Sequence, residues 1–187
     1  LRATPLGETS ADLWLLGSSD YSADLAARLG LPYVFANHFG MPGLEMALAR
    51  YRAGYQPSEA YPEPTTLLPV NAIVAGTQSE AIALAGPQLV QMVRLRTGAA
   101  LGPQLTVEEA AAYPWTDAER ALADQVLAGW FVGDVNGVSA RLREVAAKHG
   151  VDEVMISPIG GSLTDDDLAN SPAQVATVRA VAATLLG

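Results

Sequence analysis

The chain has 187 residues, half of them apolar, enough to bury one real core and too hydrophobic for a globally disordered polymer. Its 11 basic and 20 acidic residues give a net charge of −9, which argues against a nucleic-acid partner because phosphates call for a basic stripe. No cysteine is present, which excludes disulfides, thiolate catalysis and cysteine-based metal sites.

The two histidines, His38 and His149, stand far apart and outside any metal-ligand spacing, so no metal is expected. No apolar run reaches membrane-spanning length, and Leu1 to Pro5 does not read as a signal peptide. The expectation is a cytoplasmic protein with no membrane partner.

Leu13 to Leu16 is a continuous apolar run ending at Gly17, as in a strand buried on both faces. Ser18-Ser19-Asp20-Tyr21-Ser22 opens a helix with Leu25, Ala26 and Leu29 on one face and Gly30 at its end. Tyr33 to Ala36 is the next strand and leads into Asn37-His38-Phe39. Pro42 is placed to start a helix reaching about Arg52, with Leu44, Leu48 and Tyr51 inward. Residues 54–66 read as loop, and a strand follows from Pro69 to Ala75.

Capping-box spacings then recur at Thr77 with Glu80, Thr106 with Glu109, and Thr116 with Glu119. Pro87 is positioned to kink the first of these helices. Residues 77–130 read as an insertion into the core fold. Asp134 caps a helix with Val138, Leu142, Val145 and Ala146 on one face, closed by Gly150. Val154 to Ile156 is a strand, and Ser171-Pro172 starts a last apolar helix.

The reading is a single α/β domain over 1–187 with four strands, near 13–16, 33–36, 69–75 and 153–157. Hairpin signals are absent, so the strands are expected to be parallel with right-handed crossovers. Periodicity alone fits an open four-stranded sheet and half of an eight-stranded barrel equally well.

Two turns concentrate polar chemistry. In the first, Ser18, Ser19, Tyr21 and Ser22 surround a helix start, where free amides and the dipole favour an anion such as phosphate. The same residues suit an ordinary serine cap that binds nothing. In the second, His38 follows a strand, at the end that faces the active site in parallel α/β folds, and its charge changes near neutral pH. It suits acid–base or hydrogen-bonding work, and equally a structural bond to a carbonyl. Asn71, inside a strand, needs partners if buried. No nucleophilic triad is formed, and Asp165-Asp166-Asp167 reads as a solvated loop.

The runs Leu13 to Ala23 and Leu29 to Phe39 together resemble the bacterial-luciferase-like flavin-dependent monooxygenases. Val70 to Ala75, Arg94 to Gly98, Phe131 to Gly133 and Asp152 to Met155 add to the likeness. The resemblance implies the C-terminal half of a TIM (β/α)8 barrel: four parallel strands with crossover helices and the 77–130 insertion after the third. It implies reduced FMN, or the deazaflavin F420, reacting with oxygen and a small organic substrate. Ser19 and Ser22, with Ser18 and Tyr21 adjacent, would hold the flavin phosphate. His38, at the end of the sixth strand, would be the catalytic residue, with Asn71 in the seventh as a cofactor contact and Ser157 after the eighth.

Strands one to four have no counterpart in the chain, and the stretch from Asp165 to Ser171 departs from the family pattern. The expected partner is therefore an N-terminal half or a second copy in a homodimer. Two other readings stand beside the enzyme: a non-catalytic flavin-binding module, and a truncated structural dimer without flavin.

Overall fold

The computed structural model describes residues 11–40, 42–167 and 169–187. Leu1 to Pro5, expected not to be a signal peptide, lies outside the described residues. Contacts gather the described chain into two compact units. The first takes residues up to Ala36 together with those from Pro42 to Leu67, and the second takes Asn37 to Gly40 and everything from Leu68 onward.

In the first unit, β1 (Leu15–Gly17) pairs in parallel with β2 (Tyr33–Phe35), which pairs with the start of β3 (Thr66–Val74). The helix α1 (Asp20–Leu29) begins at a Ser19–Ser22 capping box and ends at Gly30, whose φ of 60° suits a residue without Cβ. Its buried face is Ser22, Ala23, Ala26 and Ala27, while Leu29 is 54% exposed. This corrects part of the expected face: Ala26 is buried and Leu25 half-buried, but small residues let α1 lie close against α2 (Leu44–Gly54) and Leu29 turns outward.

The helix α2 starts two residues later than Pro42, at a Gly43 cap with φ 109°, and buries Ala47, Leu48 and Tyr51. The Tyr51 hydroxyl shares its proton between the carbonyls of Leu31 and Thr65, at 2.9 and 3.1 Å, and burial pushes its pKa up to about 12. The expectation that Leu13 to Leu16 is buried on both faces fails. The strand β1 has β2 as its one partner among the described residues, and Leu13 and Leu16 are 64% and 57% exposed.

In the second unit, β3 pairs in parallel with β5 (Val154–Pro158) along Leu68–Ala72, and with β4 (Phe131–Gly133) along Ala72–Val74. The strand β4 went unforeseen because three apolar residues directly after a helix carry no readable period. Between β3 and β4 lie α3 (Gln78–Thr97), α4 (Val107–Ala111) and α5 (Asp117–Ala128), and all three expected capping boxes form. The core here gathers Ile73, Leu89, Val93, Val126, Trp130 and Val132.

Pro87 does not interrupt α3. The loop after β5 docks beside the proline, where the Gly161 amide donates to the Leu84 carbonyl at 2.8 Å. A Cβ on Gly161 would meet Pro87 Cγ at 2.5 Å, which accounts for glycine there. The helix α6 (Val135–His149) is capped by Asp134 and Gly150 as expected. The last helix, α7 (Pro172–Leu186), starts at Ser171, which sits at φ 40° without a side-chain cap bond. Every strand pairing is parallel and every connection between consecutive strands carries a helix. That is the expected α/β class, a fragment of a (β/α)8 barrel core.

Candidate functional site

The serine turn belongs to the first unit. Ser22 is buried, and its hydroxyl donates to the Ser19 carbonyl at 2.7 Å and lies 3.3 Å from the Tyr33 hydroxyl. Tyr33 also donates to the Gly17 carbonyl at 3.3 Å. The backbone amides of Ser19 and Ser22 each donate across the capping box at 3.4 Å. A Cβ at Gly17 would meet Ser22 Oγ at 2.4 Å, so the strand end and the helix start touch there. Ser18, Ser19 and Tyr21 are exposed. The turn thus has an inner layer, Ser22 with Tyr33, that bonds within the protein. Its outer layer of hydroxyls faces solvent at a helix N-terminus.

The histidine turn belongs to the second unit. Asn37 to Phe39 forms one 3-10 turn, tied down by its own Asn37 and by side chains of β3 and α3. Asn37 Nδ2 donates to the Pro69 carbonyl at 3.3 Å, and Asn71 Nδ2 donates to the His38 carbonyl at 2.7 Å. Arg96, in the last turn of α3, donates from Nη2 to the Phe39 carbonyl at 3.1 Å. Gly40, at φ 67°, ends the turn where a Cβ would meet Arg96 Nη2 at 2.8 Å.

His38 lines a cavity of about 80 Å³ together with Asn71, Met92, Arg96, Gln125 and Trp130. Its Nδ1 is buried and has no hydrogen-bond partner among the described residues. Burial pushes the His38 pKa below its ordinary value, which favours the neutral ring at pH 7.

Of the sequence candidates, Asn71 and His38 are brought together, and Ser18, Ser19, Tyr21 and Ser22 form one turn. Ser157 lies within β5 as the register partner of Asn71. Sequence reasoning missed Arg96, Gln125 and Trp130. Arg96 stood within a run noted for its resemblance, but only the fold carries it to the Phe39 carbonyl, 57 residues away in sequence.

No group of three or more histidine, aspartate or glutamate side chains able to hold a metal occurs among the described residues. Asp166 and Asp167 accept backbone amides of Leu163 and Ala169, as loop caps do. Among the described residues no helix is long and apolar enough to cross a membrane.

Comparison with known proteins gives a consistent result. A family model described as luciferase-like monooxygenase matches residues 2–153. A luciferase-like monooxygenase of Escherichia coli is 34% identical over 145 residues, covering 78% of this chain and 43% of its own. The crystal structure of apo-MsnO8 superposes with a TM-score of 0.79 at 26% identity, covering 98% of this chain and 54% of that one. The FMN complex of the oxygenating constituent of 3,6-diketocamphane monooxygenase from Pseudomonas putida shares the fold. Its TM-score is 0.57 at 16% identity, over 95% of this chain and 49% of its own. The chain spans about half the length of the curated relatives it matches.

Proposed function

The chain belongs to the luciferase-like monooxygenase family, and from that premise we propose that it supplies the C-terminal half of a flavin-dependent monooxygenase. The observation that carries the reading is the unpartnered, buried Nδ1 of His38 in a cavity walled by the conjugated side chains and amides of the second unit. A buried polar atom without a protein partner calls for a ligand or water.

The cofactor is reduced FMN, with the deazaflavin F420 as the chemical alternative, and oxygen and a small organic substrate are the reactants. When bound, the flavin supplies the electron-transfer and oxygen chemistry. The residues present fit it unevenly. Ser18 and Ser19 offer exposed hydroxyls at the α1 N-terminus, and Tyr21 is exposed beside them, which suits a phosphate. The Ser22 hydroxyl is directed inward, so its part is to brace Ser19. In the second unit, His38 would exchange a hydrogen bond or a proton at Nδ1. Asn71 fixes the His38 backbone, and the buried Trp130 shields one wall from water.

Partners follow from exposed apolar surface. In the first unit the edge strand β1 leaves Leu16 exposed. In the second, α7 exposes Val175, Val178 and Leu186. Such faces favour an N-terminal half-barrel or, for the isolated chain, a homodimer. The cytoplasmic location expected from the sequence stays part of this proposal.

Titration with FMN and riboflavin tests the reading. FMN should bind more tightly, and Ser19→Ala should weaken FMN more than riboflavin. Equal losses for both ligands would remove the phosphate role from the turn, and no flavin affinity with an N-terminal half-barrel supplied would overturn the enzyme reading.

A further inference from the structure

The cavity beside His38 has a charge character that sets it apart from the rest of the molecule. The chain carries 20 acidic residues against 11 basic ones, yet among the described residues no acidic side chain lines this cavity, and one cation does, Arg96. The guanidinium group has five N–H donors. One atom of Arg96, Nη2, is bonded to the Phe39 carbonyl, and no carboxylate pairs with Arg96 among the described residues.

Other arginines of the second unit are committed elsewhere. Arg141 donates to the Trp130 carbonyl and lies over the Phe131 ring. Arg143 donates to the Thr184 carbonyl, and Arg94 lies over the Tyr113 ring. Arg96 alone of these four faces a cavity that also contains an unpartnered buried nitrogen, His38 Nδ1. The side-chain amide of Gln125 adds a donor on the same wall and has no bond of its own among the described residues.

A cavity of about 80 Å³ is larger than the roughly 30 Å³ share of one water and smaller than a drug-sized pocket. It has room for one small charged group with its hydrogen-bond partners.

We propose that the cavity formed by His38, Arg96 and Gln125 is a carboxylate subsite that receives the acid group of an organic-acid substrate. Arg96 supplies the positive charge and part of a fork that matches two carboxylate oxygens. His38 donates through Nδ1–H, and Gln125 donates through its amide. Arg96 also acts as a positioning residue, because its bond to Phe39 holds the turn that presents His38. Turnover of such a substrate rests on the flavin reading above, but occupation of the subsite by an acid does not.

The test uses the chain without flavin and acetate as the probe. With only His38 and His149 in the sequence, imidazole nitrogen signals in a nuclear magnetic resonance spectrum are few enough to assign by substitution. Acetate titrated at constant pH and ionic strength should shift the His38 signals saturably, with a Kd on the order of millimolar. His149 should not follow, and acetamide should bind far more weakly.

Arg96→Gln should weaken acetate on the order of tenfold or more, as expected for loss of a charge-assisted bond. Arg96→Lys should restore part of it. Should Arg96→Gln unfold, Gln125→Leu, at an exposed helix position, gives a second reading and should weaken acetate several-fold. A His38 response no different from that to chloride overturns the subsite, as does unchanged affinity in folded Arg96→Gln. Acetate binding by the chain, with no FMN binding even when an N-terminal half-barrel is supplied, would leave the subsite standing and remove the flavin. The reverse result would remove the subsite and keep the flavin.

Discussion

The serine turn at 17–22 and the histidine turn at 37–40 both follow a short parallel strand, and both bring several polar side chains to a strand end. Their valences are arranged differently. In the serine turn the Ser22 hydroxyl donates to the Ser19 carbonyl and the Tyr33 hydroxyl to the Gly17 carbonyl, with the two hydroxyl oxygens 3.3 Å apart. In the histidine turn Asn71 and Arg96 hold the carbonyls of His38 and Phe39, Asn37 ties the turn to the Pro69 carbonyl, and the imidazole Nδ1 is left without a protein partner among the described residues. Density of polar residues therefore marks a cap as readily as a ligand site. The open valence is what separates them, and residues far away in sequence create it.

Gly17→Ala breaks the serine turn most severely. The new Cβ would lie 2.4 Å from Ser22 Oγ and 2.5 Å from Ser22 Cβ, and the latter is fixed to the helix backbone. The strand end and α1 must part, at a cost of about 1–3 kcal/mol. Chemical denaturation should register it, and an unchanged midpoint would show that the contact is soft.

Ser22→Ala sharpens the contrast within that turn. It removes the donor to the Ser19 carbonyl and the contact to Tyr33, and should cost about 1 kcal/mol. Its effect on FMN and riboflavin should be equal, because its hydroxyl faces inward. Ser19→Ala should cost about as much, roughly 1 kcal/mol as an N-cap loss, but discriminate between the two ligands. If Ser22→Ala discriminates as strongly, the inner and outer layers of the turn are not distinct.

Gly40→Ala tests the other turn. The side chain it would meet, Arg96 Nη2 at 2.8 Å, is the far end of a flexible group, so Arg96 can move aside. The cost is then mainly the φ of 67°, about 1 kcal/mol. Loss of the Arg96 bond to Phe39 should also alter the His38 imidazole signals. Unaltered signals would mean that Arg96 does not position the histidine.

What was legible in the sequence follows the range of the forces involved. The four capping boxes at Ser19, Thr77, Thr106 and Thr116 all form; three were visible as a residue spacing, and Ser19 with Ser22 was read as a cap. They depend on residues three apart, which no tertiary context overrode. The buried face of α1 was read correctly at Ala26 but not at Leu29, because alanines at a close helix crossing displace a leucine that lacks a covering layer. His38 and Asn71 could be nominated from their strand positions. Their bond, and the part of Arg96, arise from contacts across 33 and 57 residues that no local pattern encodes.

The smallest expected effect concerns pH. Burial lowers the His38 pKa below its ordinary value near 6.5. A group with a depressed folded pKa binds fewer protons when folded than when unfolded, so stability rises with pH between the two values. The neutral ring's contribution is complete above about pH 6.5 and is lost as pH falls through the lower folded value. His38 is only partly buried, so the change should be modest. The serine turn offers a contrast, since Tyr33, raised by burial above its ordinary value of 10.0, stays protonated across this range. Melting temperatures of the chain and of His38→Gln, compared at pH 7.5 and pH 5.0, isolate the effect. The parent should lose more on acidification than the variant. Parallel losses would mean that the imidazole is already solvated and that the cavity beside it does not shield Nδ1. Acetate should oppose the acid loss in the parent, because an anion beside the ring stabilises its charged form. In Arg96→Gln that protection should shrink, which ties the titration of the histidine turn to the guanidinium that lines its cavity.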